Sequence, residues 1–596
     1  MSEDSRSLFS RFIDGIGEAI AWYRLPKVLG LAKLTKIRDQ LREENLYDTE
    51  NLSVPGNKDP DAAPKEKVQS RTFDGTYNDL TCPEMGRAGA RFGRNFPLER
   101  AHPDTDNLMT PNPRTISRQL LTRNSFKPAT ILNQLAVAWI QFQVHDWFNH
   151  KQGGEQNSYE IPLDKNDPWP YGSIRVRPTE GDSTGDGNPP TYANINTHWW
   201  DGSQIYGNSE QQAWKLRTGY DGKMKIGDSA LLPLDKEGVE LVGFRDNWWI
   251  GLSLLHSLFV SEHNAICDRL KLEHPDWSDE ELFQQGRVIN AALMAKIHTV
   301  EWTPAILPHP TVQEALNIQW EGVVGEELQD VFSFLDDNEV LGGVLGSNQD
   351  HHGVPYSLTE EFVSVYRMHP LMPDEFQFYS IDSGKLLGKH SLLEVTLDST
   401  RNIMEQYDLR DLFYSLGISH PGALRLHNYP RNLQSIWLPS EEKHIDLAAI
   451  DILRDRERGV PRYNEFRELL RMDRVRYFEE LTDDPDLAEQ IREVYNGDID
   501  KVDLMVGLFA EPLIEGFGFS ETAFRIFIVM ATRRLKSDRF FTEDFTEERY
   551  TKAGLQWIRD NSMSTVLMRH FPKLHPALQG VDNAFHPWKQ TAKQPQ

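Results

Sequence analysis

Apolar residues recur at three- and four-residue steps through 129–150, 252–272, 280–299, 359–369 and 520–536, and alternating runs are scarce. That period belongs to helices with one buried face, so a chain built from it condenses around helix packing. Pro, Gly and Asn break the pattern between segments, and no internal repeat divides it. The expected class is mainly α, a single large helical domain with few short strands. The Gly-, Asp- and Pro-loaded stretch 179–190 is expected as a surface excursion. Residues 1–48 read as an amphipathic helical segment, 49–69 as a linker or extended arm, and 70–596 as the main domain. In the first, Phe9, Phe12, Ile13, Ile16 and Ile20 fall at helical spacing, and Arg24, Lys27, Lys33, Lys36, Arg38 and Arg42 follow. Two readings stay open there: a helical hairpin packed on the body, or a basic surface resting peripherally on a membrane.

Composition excludes several classes. The chain has 596 residues, is 39% hydrophobic and carries 15 Trp, enough core material to exclude wholesale disorder. A net charge of −26 argues against a nucleic-acid partner, since phosphate binding needs Lys and Arg. Cys82 and Cys267 are the only cysteines, so no disulfide scaffold is present and an intracellular, cytoplasmic setting is expected. No apolar run approaches a membrane span, and Met-Ser-Glu-Asp does not resemble a signal peptide.

Three constellations carry candidate chemistry. Ile131, Leu135, Ala138 and Phe142 form a stripe that His145 continues inward, with Gln141 one turn before it. Taken alone these suit a satisfied core pair, while Asp146, a quarter-turn away, could ligate a metal. In Thr197-His198-Trp199-Trp200-Asp201-Gly202-Ser203, oxygens at alternate positions, with the Trp199 carbonyl, can curl around a hard cation. Taken alone the run equally suits a turn or a cap. In 357–370, Ser357 and Glu360 suit a capping box, Pro370 marks the helix end, and Tyr366 and His369 share a face. A histidine ligand with a tyrosine one turn away is what a haem-coupled tyrosyl radical needs; singly, each also suits a core.

Together, in order and spacing, these sites resemble the peroxidase–cyclooxygenase superfamily of haem enzymes over roughly residues 70–575. Gln141 to Asp146 resembles its distal motif and Thr197 to Ser203 its calcium loop. Ser261-Glu262-His263-Asn264, Asp446-Leu447-Ala448-Ala449 and the run Asp451 to Asn464 resemble further hallmarks. Val144 stands where mammalian peroxidases carry an ester-forming Asp, and Trp248 and Trp249 where they carry an ester Glu and a sulfonium Met. The resemblance therefore implies non-covalent haem b. Arg245 aligns with their distal Arg. Within the superfamily the chain resembles the fatty-acid α-dioxygenases. The residues that carry this are Tyr23 to Lys27, Ile297-His298-Thr299-Val300-Glu301-Trp302-Thr303-Pro304, Val365 to His369, His427-Asn428-Tyr429-Pro430, Ala531 to Leu535 and Asp538 to Thr542.

That resemblance implies a haem peroxidase/cyclooxygenase-like fold and a haem-dependent dioxygenase, an oxidoreductase. It would add O2 at C2 of a long- or medium-chain fatty acid after initiation by peroxide. The 2-hydroperoxy acid can lose CO2 to give an aldehyde one carbon shorter. The roles carried over are Tyr366 as radical, His145 and Gln141 on the distal haem face, and His369 as axial ligand, with Asn428 orienting that ligand. His298, Thr303 and Arg534 would bind the carboxylate, and Asp146, Thr197, Trp199, Asp201 and Ser203 would bind Ca2+. Periodicity favours Arg534, since it continues the stripe of Phe524, Phe527 and Ala531 while Arg533 lies about 100° away; Arg539 stays a third candidate. Alternatives are a haem peroxidase of small donors, a chain-middle fatty-acid dioxygenase or cyclooxygenase, and an inert haem or lipid carrier.

Overall fold

The structure is a computed structural model that describes residues 20–50, 65–182, 189–236, 238–322, 342–438 and 443–591. Eight helices position the site: α1 (Lys27–Glu44), α2 (Gln134–Trp147), α3 (Ile250–Glu273), α4 (Asp279–Ile297), α5 (Pro310–Glu321), α6 (Glu360–Val365), α7 (Leu447–Glu457) and α8 (Glu521–Lys536). Several begin at a capping side chain that the sequence supplies. Asn133 accepts from Ala136 N, Ser278 and Glu281 close a capping box, and Asp446 and Ser520 cap α7 and α8. The cap of α6 is Thr359, whose side chain accepts from Phe362 N, and not Ser357 as the spacing had suggested. Three two-stranded antiparallel hairpins, β1 (Tyr159–Pro162) with β2 (Ser173–Val176), β3 (Glu375–Tyr379) with β4 (Leu386–Ser391), and β5 (Ile436–Leu438) with β6 (Lys443–Ile445), are the sheet structure among the described residues.

The core is helix on helix. α2 packs across α3, and α3 folds back against α4. Leu135, Ala138, Trp139 and Phe142 of α2 are fully buried, each large side chain contributing about 1.5–3 kcal/mol. The Glu262-His263 motif of α3 is scaffold. Glu262 takes Arg569, His570 and the Trp557 indole, and His263 lies 3.0 Å from the Tyr206 hydroxyl and 2.9 Å from Gly222 O. Both cysteines are buried.

α1 lies against α5 and α8. It buries Leu31, Ala32, Leu34 and Leu41, and with them Arg38 and Arg42, so two of the six basic residues face inward. Phe9 to Ile16 lie outside the described residues, as do 51–64. Lys65–Gln69 is a helical turn within the expected arm. The 179–190 stretch is anchored at its start, where Thr179 is buried and bonded to the Glu457 carboxylate, because that carboxylate is itself enclosed and needs donors. Among the described residues no helix is long and apolar enough to cross a membrane.

Candidate active site

Two cavities meet at one side chain. The larger, about 470 Å³, opens between α2 and the turn after α6 and is lined by Val137, Gln141, Val144, His145, Tyr366, His369 and Asp451. The smaller is enclosed by Trp200, His298, Thr303, Phe362, Phe527, Ala531 and Arg534, and again Tyr366. Among the described residues Tyr366 is the one that lines both. It sits at the C-cap of α6, 8% exposed, with its ring edge-on to Trp147 at 5.5 Å. Burial pushes its phenol well above the ordinary range, with Arg534 opposing. The oxygen therefore keeps its proton at rest.

Arg534 is 3% exposed, and its Nε and Nη2 have no hydrogen-bond partner. Its guanidinium lies over the rings of Trp147 at 4.0 Å and Trp200 at 4.5 Å. Such faces hold a cation without supplying a counter-charge. Arg533 and Arg539 are occupied: the first donates to the carbonyls of Val354 and Pro355, the second to Tyr77 O, Val68 O and Asp544. His298 stands beside Arg534. Burial, and then Arg534, push its pKa well down, so it is neutral. Its Nδ1 accepts from the Trp139 indole at 3.3 Å, which leaves the ring proton on Nε2. Thr303 lines the same pocket, but its hydroxyl donates to His298 O at 2.9 Å. Both face one way because His298–Trp302 is a π-turn. Its i→i+5 closure stacks residue 303 over 298, which an α-turn would not.

On the other side of Tyr366, burial lowers His145 to about 4, with Asp246 opposing, so this ring is neutral too. Gln141 is held at the wall, accepting from the Trp249 indole at 2.7 Å and donating to Asn247 O at 3.2 Å. Across the cavity, Nδ1 of His369 lies 2.8 Å from Asp451 Oδ2, a short contact but misaligned for a hydrogen bond. The same oxygen accepts from the Tyr429 hydroxyl at 3.0 Å. Burial raises the Asp451 carboxyl, but His369 and Arg367 outweigh it and hold it below the usual range. Asn428 does not touch His369. Its amide is saturated by Arg123, Lys127 and Ala423, bracing the loop behind. Arg245 is turned outward to Asp235 at 3.1 Å, half-exposed, where its charge stays hydrated.

Behind His145, Asp146 Oδ1 accepts from Ser203 N at 2.6 Å and from Ser203 Oγ at 2.8 Å, while its Oδ2 is buried without a partner. Asp201 accepts from the Thr197 hydroxyl at 3.0 Å and from Ser203 N at 3.1 Å. Burial and then Asp201 push the Asp146 carboxyl up to about 7; burial raises Asp201 too, against Arg287 and Arg71. Trp199 is fixed by its indole donating to Gly75 O at 2.9 Å.

The comparisons with known proteins agree with this geometry. The animal haem peroxidase family model matches residues 70–585. The α-dioxygenase PIOX of Oryza sativa subsp. japonica is 40% identical over 98% of this chain and 97% of its own. Alpha-dioxygenase 1 of Arabidopsis thaliana is 38% identical over 98% and 93%. The crystal structure of Oryza sativa fatty acid alpha-dioxygenase superposes with a TM-score of 0.89 at 38% identity, covering 99% of each chain. The chain belongs to the α-dioxygenases of the animal haem peroxidase family.

As an α-dioxygenase the chain is an oxidoreductase with a haem site, and the large cavity fits that cofactor. His145 and His369 line it from α2 and from the turn after α6, and Arg454, Arg458 and Lys151 on its lining suit a haem's carboxylates. Val144, Trp248 and Trp249 contribute to the wall without any group that could form an ester or sulfonium link. Two residues of this α-dioxygenase escaped sequence reasoning. Asp451, beside the axial-ligand candidate, stood inside a quoted motif, but nothing in its spacing aims it at His369. Trp139, which sets the His298 tautomer, stands next to Ala138 on α2, and nothing local marks its indole as a donor to a histidine 159 positions away.

Proposed function

We propose that this α-dioxygenase oxygenates a long- or medium-chain fatty acid at C2, with Tyr366 as the residue that takes the hydrogen. One observation carries the reading: Tyr366 forms the shared wall between a haem-sized cavity and a pocket holding a buried arginine whose Nε and Nη2 have no hydrogen-bond partner. Buried guanidinium donors without acceptors are costly, and a carboxylate supplies two acceptors at once. The rice enzyme's substituted form solved with palmitic acid supports a saturated acid as substrate class.

Haem b held non-covalently in the large cavity would, once oxidised by peroxide, supply the one-electron oxidant. His145, neutral through burial, can take the proton that peroxide loses, with Gln141 beside it. His369, backed by Asp451, would hold the iron, as metal-bound histidines are usually braced by a carboxylate. Arg534 grips the substrate carboxylate with two parallel N–H donors and His298 adds Nε2–H. Thr303 joins if its hydroxyl turns from His298 O. Tyr366 gives up an electron and its phenolic proton, then takes a hydrogen atom from C2. O2 adds to the carbon radical, and the peroxyl radical recovers the hydrogen from Tyr366, giving the 2-hydroperoxy acid and restoring the tyrosyl radical. Loss of CO2 and water yields the aldehyde one carbon shorter. Calcium at Asp146, Asp201, Thr197, Ser203 and the Trp199 carbonyl would ionise the paired carboxylates and tie α2 to the loop; the orphaned Asp146 oxygen supports it. Exposed Arg24 ahead of α1 and Lys27 at its start support peripheral contact with a membrane.

The test is oxygen uptake by the holoenzyme with a saturated fatty acid and mass analysis of the product. Wild type should give the 2-hydroperoxide and the shortened aldehyde. Tyr366→Phe should keep the Soret band and lose oxygen uptake. Dye peroxidation without fatty-acid oxygenation in the wild type would refute the proposal.

A further inference from the structure

We infer that the aromatic pair Phe524 and Trp22 is a stop that sets how long an acyl chain this enzyme accepts. The inference rests on the reading that Arg534 holds the carboxylate. The clamp pocket does not end at Ala531. Leu316, Gln319, Phe527 and Ala531 line both it and a further void that runs between α1, α5 and α8 as far as Phe524. The tail thus has a route away from Tyr366 along the apolar face of α8. The voids are narrow, about 20 and about 40 Å³, so a tail must turn Leu316 and Phe527 aside as it enters.

Phe524 cannot give way in the same manner. Trp22 stacks on it at 5.4 Å and 28°, and Phe517 meets it edge-on at 5.2 Å and 71°. His309 abuts the far side of Trp22 at 5.2 Å and 74°. Trp22 and Phe524 are each 1% exposed. The turn Trp22–Arg24 is pressed onto α1 at Gly30, where a side chain would meet Trp22 O at 2.8 Å. The stop is therefore made partly by the segment ahead of α1, which at the level of sequence read as an appendage.

The distance follows from helix geometry. Phe524 and Arg534 lie ten residues apart on one helix, about 15 Å at about 1.5 Å per residue. That is the reach of about a dozen bonds of an extended chain, counted from the carboxylate. A tail that just reaches Phe524 fills the groove. Each further methylene must enter a closed aromatic cluster, and such pockets reject a surplus methylene by roughly tenfold or more.

The experiment is kcat/KM for saturated acids of eight to eighteen carbons, by oxygen uptake, on the holoenzyme and on Phe524→Ala and Phe524→Leu. Wild type should show a sharp fall past one length. Phe524→Ala should move that fall to acids a few carbons longer, leaving short acids, the Soret band and the C2 position of attack unchanged. Phe524→Leu should move it the same way by less, and decides the matter if the alanine variant does not fold. An unshifted profile, or an equal loss at every length, would overturn the stop while leaving C2 oxygenation intact. Absence of 2-oxygenated product from the wild type would instead overturn the carboxylate clamp, and the stop with it.

Discussion

Arg534, Arg533 and Arg539 differ in what surrounds them, not in chemistry. Arg533 and Arg539 spend their donors on backbone carbonyls and Asp544, so they hold loops together. Arg534 keeps two nitrogens unpartnered between Trp147 and Trp200. A charged hydrogen bond contributes about 1.5–3 kcal/mol, so Arg534→Gln should raise the fatty-acid KM roughly ten- to a hundredfold. The Soret band and dye peroxidation should not move, because the side chain grips substrate and not iron. Arg533→Ala should do the reverse, lowering Tm with little change in KM. Steady-state kinetics and melting curves on both variants separate the roles; an unchanged KM in Arg534→Gln would mean the carboxylate lies elsewhere.

At the level of elements, the candidate site depends on how α2 is tied to the loop 197–203 and on the π-turn after α4. Asp146 and His145 are neighbours on α2, so whatever grips Asp146 also fixes His145. With two enclosed carboxylates facing each other, chelation should lower Tm and slow the reaction with peroxide together. Asp201→Ala should do the same and make both insensitive to chelator. Metal analysis of the native protein together with stopped-flow kinetics would check this, and native protein free of calcium would remove the idea. The π-turn was not legible: the run His298 to Pro304 is helical in pattern, and its five-residue closure is made by backbone bonding that side-chain period does not encode. The His298–Thr303 pairing was available only from the family resemblance.

For the whole molecule, enclosing so many imidazoles has a consequence for acid stability. Burial holds His145, His150, His198 and His263 near about 4 and His256 near about 3. In the unfolded chain each titrates near its ordinary 6.5. The unfolded state therefore binds more protons below that pH. Stability is full above about 6.5 and falls as pH drops toward 4, by up to about 1.4 kcal/mol per pH unit for each ring. Tm should decline steeply between pH 6.5 and 5, with the buried carboxyls of Asp146 and Glu301, raised to about 7, opposing the fall. Scanning calorimetry across pH 5 to 8 checks it, and His256→Gln should reduce the slope; a flat Tm over that range would mean the rings are charged in the fold.

The helical class, the stripe that turns His145 inward and the stripe ending at Arg534 could be read along the chain, because helical period is a local property; Tyr366 and His369 face one cavity for another reason, since α6 ends at Val365 and His369 opens a separate turn. The family likeness rested on motifs that are local too. What required the tertiary structure was every relation between distant segments. Tyr366 separates two cavities only once α2, α6 and α8 are packed. Asp451, eighty-two positions after His369, reaches its ring only through the placement of α7, and Asn428 is drawn off by Arg123 and Lys127 instead. α1 becomes a wall of the acyl groove because its apolar face finds α5 and α8. Which face of a helix is apolar is written in its own residues; which other helix covers that face depends on the packing of the whole chain.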